Sequence, residues 1–174
     1  MLVIGVGNAL RHDDGVGLEA VRRMRSLLCA AGGAGERRAG PAGGGVAIET
    51  REHEGDPLGL LESWDGARAV VLLDAIHGAS PPGSVHRFDA SSTPLPADLA
   101  GSSSTHAVGV AEAIELARAL GRLPRTLVVY GVVGARFDAG GGLSEEVRAA
   151  LGQLAETVLS EAGGLASQPH GEAR

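Results

Sequence analysis

A three-layer α/β/α domain built on a mostly parallel, five-stranded sheet with one antiparallel edge strand is the fold predicted for this 174-residue chain. Three observations predict it. Short β-branched apolar runs alternate along the chain with patterns of helical period, the arrangement of a parallel sheet covered by helices on both faces. The run AVVLL at 69–73 is continuously apolar, as a central strand buried on both sides must be. The opening run at 2–6 ends in Gly7-Asn8 and passes at once into a helical pattern, giving strand, tight turn and helix.

Composition narrows the function. Hydrophobic residues make up 44% of the chain and aromatic ones only 2%, so Ala, Val and Leu must fill the core. The net charge of −6 disfavours a general binder of nucleic acid or anionic membrane, which needs clustered cations. Every cation is Arg, and the absence of Lys excludes Schiff-base chemistry and a phosphate-binding lysine of the Walker type. The opening apolar run is too short for a signal sequence and no later stretch approaches a membrane span, so a cytoplasmic protein is expected. Cys29 is the single cysteine; it excludes an internal disulfide and a thiolate zinc cluster, and is expected to be a small packed residue late in the first helix.

Taken in order, Ala20, Val21, Met24, Leu27, Leu28 and Ala31 recur at helical spacing, with Arg22, Arg23 and Arg25 on a solvated face. Residues 31–45 are Gly- and Ala-rich and predict a flexible loop, in which Arg37 and Arg38 lie at the end of the sheet away from any site. A second strand is predicted at 46–50. Asp56 and Pro57 then open a helix that buries Leu58, Leu60 and Leu61 and has Trp64 near its end. The third strand ends in Asp74, where the sheet meets its crevice. Pro81-Pro82-Gly83 turns the chain into the antiparallel edge strand at 84–89, and a long loop runs from Ser91 to Thr105. His106 stands at the start of a helix whose inner stripe is Val110, Ala113, Ile114, Ala117 and Leu120. A β-branched strand at 126–132 and a glycine-rich loop at 134–142 follow. Ser144 caps the last helix, which turns Val147, Ala150, Leu151, Leu154 and Val158 inward. One domain, 1–162, is expected, with a disordered tail at 163–174.

The first stretch is where a ligand belongs, because open α/β sheets bind at strand carboxyl ends. A dinucleotide does not fit it. Gly5 and Gly7 supply two glycines of that fingerprint, but Leu10 takes the third position and is expected to hold the helix off the strand. Asp13 and Asp14 would repel a pyrophosphate and attract a cation. If the first and third strands are neighbours, Asp14 and Asp74 approach one another, and His106 joins them from its helix start. Two carboxylates and an imidazole suit a borderline divalent ion such as nickel or zinc, with a coordination position left open. The same residues also admit blander roles: Asp13 or Asp14 favouring a helix N-terminus, Asp74 capping a turn, His106 merely starting a helix. His53, His77 and His86 read as surface histidines, with His77 close enough to Asp74 in sequence to reach the site. Ser103, Ser104 and Thr105 lack the spacing of a nucleophile and base.

Four segments, GVGNALRHDDGVG at 5–17, LLDAIHGASPPG at 72–83, SSTHAVGVAEAI at 103–114 and VVYGVVGARFDAGGGLSEEV at 128–147, together resemble the hydrogenase maturation endopeptidases. The resemblance runs in order from Leu2 to about Leu159. It implies a five-stranded α/β/α fold and one endoproteolytic cut that removes a C-terminal extension from the precursor of a nickel-iron hydrogenase large subunit after nickel insertion. By position, Asp14 and Asp74 match the family's two carboxylates and His106 its imidazole, in catalytic and metal-contacting roles. Nickel seated in the precursor is then the recognition element, and no tightly held metal is expected in the isolated protein. Asp13 and Asp74 are candidates to take the proton of the attacking water. The glycine-rich insertion at 31–45, the His53-Glu54-Gly55 stretch and His77 depart from the family pattern. A monomer that meets its precursor transiently is expected, with neither nucleic acid nor membrane as partner. Two rivals stand beside this reading: a nucleotide- or flavin-binding module, and a metal-binding, chaperone-like protein that docks on a hydrogenase subunit without cutting it.

Overall fold

The computed structural model describes residues 1–30, 47–96 and 105–166, the side chains of 105–108 and 163–166 excepted. The strands are β1 (Leu2–Val6), β2 (Glu49–His53), β3 (Ala69–Ile76), β4 (Val85–Asp89) and β5 (Thr126–Val133). They form one sheet in the order β2-β1-β3-β5-β4. All pairs are parallel except β4 with β5, so the antiparallel edge strand lies where the sequence predicts it. The helices are α1 (Val16–Ala30), α2 (Pro57–Ser63), α3 (Thr105–Ala119) and α4 (Glu145–Ala166), and a 3-10 turn at His12–Gly15 leads into α1. Among the described residues no helix is long and apolar enough to cross a membrane.

Side chains alternate across the sheet and so build two cores. Leu2, Ile4, Val6, Val70, Leu72, Leu127 and Val129 face α2 and α3, where they meet Leu60, Leu61, Trp64, Val110 and Ile114. Val3, Val71, Leu73, Val128, Tyr130 and Val132 face α1 and α4, against Val21, Met24, Leu154 and Val158. Trp64 ends α2 fully buried, and its indole N–H finds no hydrogen-bond partner among the described residues.

The start of α1 comes unusually close to the sheet because two glycines face each other. A Cβ on Gly5 would lie 2.1 Å from the carbonyl oxygen of Gly17, and one on Gly17 would lie 2.2 Å from that of Leu73. This corrects the expectation for Leu10. Its side chain is 74% exposed and spaces nothing; the close approach is made by Gly17 instead.

Other expectations shift with the packing. β2 starts at Glu49 rather than 46, since its ladder can begin only where β1 begins, with Leu2 opposite Glu49. That edge strand is polar, and Arg22 and Arg25 of α1 are not simply solvated: they reach across to Glu52, with Arg25 also on Thr50. Asp56 does cap α2, accepting the Gly59 N–H at 2.7 Å. Leu58, expected inside, is 65% exposed because the single inward face of this short helix is filled by Leu60 and Leu61. Leu120 is 56% exposed, one residue past the end of α3. Cys29 is exposed, in the last turn of α1 beyond the sheet. β3 runs two residues past Asp74, which lies within the strand, because β5 pairs with it along all eight positions. α4 runs through 163 to Ala166, past the expected end of the domain at 162, since its helical backbone continues there. The loop at 31–45 with Arg37 and Arg38, Ser103 and Ser104, and the tail from 167 lie outside the described residues.

Candidate active site

The site grows from the turn after β1. Gly7 has φ +139°, and a Cβ there would sit 1.8 Å from the carbonyl oxygen of Asp14, so only glycine lets the 3-10 turn fold back over the strand end. The Gly7 N–H donates to His53 O at 3.1 Å, which ties this turn to the end of β2. Asp14 is buried and its Oδ2 accepts the Asn8 N–H at 3.1 Å.

Asp74 is buried as well. Alternation along β3 puts it on the side of Val70 and Leu72, facing α2 and α3. Its Oδ1 accepts the Ala75 N–H at 2.9 Å. Burial, opposed by that hydrogen bond and reinforced by the neighbouring charge of Asp14, pushes its carboxyl up to about 8. The charge of Asp14, from the turn after β1, is thus felt at Asp74 on the neighbouring strand. On β5 the register partner of Asp74 is Gly131, and the atoms nearest to where a Cβ would stand on it belong to the Ile76 side chain.

His106 is the second residue of α3, and its side chain lies outside the described ones. The helix itself is well placed. Gly109, one turn on, packs directly on the chain after β2, where a Cβ would meet Gly55 O at 2.0 Å. The first turn of α3 therefore stands at the carboxyl end of the sheet, on the face to which Asp74 points. Among the described residues no three His, Cys, Asp or Glu side chains are grouped to hold a metal ion. Asp14 and Asp74 contribute two buried carboxyl groups, oxygen donors of the kind a divalent cation takes.

Asp13 behaves differently from its neighbour. Its Oδ2 accepts the N–H groups of Ala135 and Arg136 and the Ser144 hydroxyl, at 2.8, 3.0 and 2.9 Å, and its Oδ1 accepts the Ser144 N–H at 2.7 Å. Burial would raise its carboxyl, but the hydrogen bonds from Ser144, Ala135 and Arg136 outweigh that and hold it below the usual value. The loop bearing those donors is bound further by Arg11, whose guanidinium grips Phe137 O, and by His12, whose Nδ1 lies 3.0 Å from Gly142 O. His12 takes φ +48° to do so.

His53, His77 and His86 have local tasks. His53 Nδ1 accepts the Gly55 N–H, and its Nε2 lies 3.7 Å from Asp56 at the start of α2. His77 packs its ring on Phe137, 4.0 Å between centroids, and is thereby turned towards the α1 and α4 side. His86 stacks on Phe88 along the edge strand. Sequence reasoning missed the Asp13–Ser144 contact, and the only available hint was a serine placed where the last helix begins.

The family model for hydrogenase maturation protease (HycI) matches residues 56–161. The chain belongs to the hydrogenase maturation protease family. This protease is 30% identical over 181 aligned positions to the hydrogenase expression/formation protein HupM of Azotobacter chroococcum mcd 1, across 99% of its own length and 78% of the relative's. Among solved structures, the hydrogenase maturating endopeptidase HybD from E. coli superposes with a TM-score of 0.72 at 24% identity, covering 92% and 90% of the two chains. The NiFe hydrogenase maturation protease HybD from Thermococcus kodakarensis gives 0.66 at 27% identity, over 92% and 97%. The protease thus has the fold of those maturation endopeptidases and is itself a peptidase.

Proposed function

We propose that the protease removes the C-terminal extension of a nickel-iron hydrogenase large-subunit precursor after nickel insertion, and that Asp14, Asp74 and His106 address the nickel carried by that substrate. The observation that supports this most directly is the pairing of two buried carboxylates, Asp14 in the turn that follows β1 and Asp74 on the neighbouring strand β3. Family membership supplies the peptidase activity. The carboxylate pair supplies a reason to wait for the metal. Burial, reinforced by the neighbouring charge of Asp14, holds Asp74 mostly protonated at neutral pH, and a divalent ion presented by the precursor would displace that proton and bind. The nickel of the substrate polarises the scissile carbonyl. Asp14 and Asp74 hold the precursor's metal, and with it the peptide, from the β1 and β3 side, while His106 closes the set from α3. In this reading Asp74, once ionised, is the group that takes the proton of the attacking water. The setting is cytoplasmic, and the protease acts as a monomer.

The test is to incubate the purified protein with nickel-loaded and nickel-free precursor and to read the masses. Loss of a C-terminal peptide from the loaded form alone is expected. Cleavage of both forms would remove nickel as the recognition element, and cleavage of neither would favour a docking, chaperone-like role. His106→Ala should abolish cleavage of the loaded precursor; normal processing would sink that residue's assignment.

A further inference from the structure

Asp13 stands next to the proposed nickel-contacting Asp14, yet its surroundings are those of a fastener. Four donors converge on its carboxylate, and Asp13 N itself donates to Arg136 O at 3.0 Å. Three of these donors share Oδ2 and one takes Oδ1, so most of the carboxylate's acceptor capacity is committed to the loop. Gly134 makes room for this contact: a Cβ there would come within 3.1 Å of the Asp13 Cβ. We propose that Asp13, with Ser144, is a positioning residue of the cleavage site, fastening the loop of residues 134–144 to the turn after β1 and so fixing where Asp14 stands.

The transmission is short. The peptide unit between Asp13 and Asp14 is planar and rigid, so a displacement of one α-carbon is passed to the next. Asp14 has little other freedom: its carbonyl abuts Gly7, its N–H donates to Arg11 O at 3.1 Å, and its Oδ2 holds the Asn8 N–H. A loop more than 120 residues away in sequence therefore sets the reach of the site carboxylate through one neighbouring side chain. Catalysis is sensitive to such placement, since a misplacement of about 1 Å can cost about a hundredfold in rate. The role of Asp14 in this inference rests on the proposed function, whereas the fastening does not.

The experiment has two arms on the intact protein. Amide hydrogen exchange at Asn8, whose N–H bonds to Asp14, is compared in wild type, Asp13→Asn, Ser144→Ala and Ser144→Thr. Asp13→Asn should speed exchange at Asn8 by about tenfold or more and Ser144→Ala by less, while Ser144→Thr, which keeps the hydroxyl, stays near wild type and the β3 amides of Leu72 and Leu73 keep their protection. In the second arm, kcat on nickel-loaded precursor should fall roughly 10- to 100-fold in Asp13→Asn with KM within about twofold, and Ser144→Thr should recover the rate lost in Ser144→Ala. Unchanged exchange at Asn8, or a rise in KM without a fall in kcat, would overturn the inference. If Asp13→Asn does not fold, the two Ser144 variants decide it. If wild type cuts no precursor, the functional reading falls and the exchange arm still judges the fastening.

Discussion

Two adjacent aspartates in this chain are put to opposite uses by their hydrogen bonds, and Asp74 shares the fate of neither. An unfolded aspartate ionises near 3.8, whereas folded Asp74 holds its proton up to about 8. Between those values the folded chain binds a proton that the unfolded chain has released, so stability falls as pH rises through that window. Asp74→Asn removes this titration. In thermal melts without metal, the midpoint of the variant relative to wild type should climb by several degrees from pH 4 to pH 8, and a flat difference would contradict the raised value. Asp13 carries the opposite sign: its contribution is present above the ordinary carboxylate range and is lost as pH falls below it. Asp14 and Asp74 were legible in the sequence because each is a carboxylate where an apolar strand meets a turn or a crevice. The partnership of Asp13 with Ser144 was not, since 131 residues separate the two and no periodicity links them.

Elements were legible where their residues announce a face and misread where a neighbour decides the outcome. The continuous apolar run of β3 and the capped start of α2 came through, while β2, a polar edge strand, was located only by what β1 offers it for pairing. The junction of α1 with the sheet depends on two absent side chains, and it yields a matched pair of predictions. Gly17→Ala drives a methyl into the backbone of Leu73 and Val6 and should cost about 3 kcal/mol, the upper end of overpacking. Gly152→Ala, inside α4 with nothing within 4 Å of the new methyl, should stabilise by about 0.5–1 kcal/mol. Denaturant midpoints at constant m-value would check both. The Gly17 change should also impair processing, because α1 begins directly after the turn that carries Asp14.

Across the whole molecule the proposed site draws on both layers of helices. Asp14 comes from the turn that leads into α1, and Asp74 points to the layer of α2 and α3. Alternation of strand and helix was enough to read this layering, and the antiparallel edge followed from one Pro-Pro-Gly turn. The meeting of Asp14 and Asp74 needed the order of the strands, which depends on how all five pack and so could be stated from sequence only as a condition. The chain's single tryptophan adds a practical consequence. With Trp64 sealed in the α2 and α3 core, its fluorescence is a native gauge of that layer: emission at short wavelength when folded, shifting red as the layer opens. Optical titrations can therefore follow the half of the protein that faces Asp74 without any label.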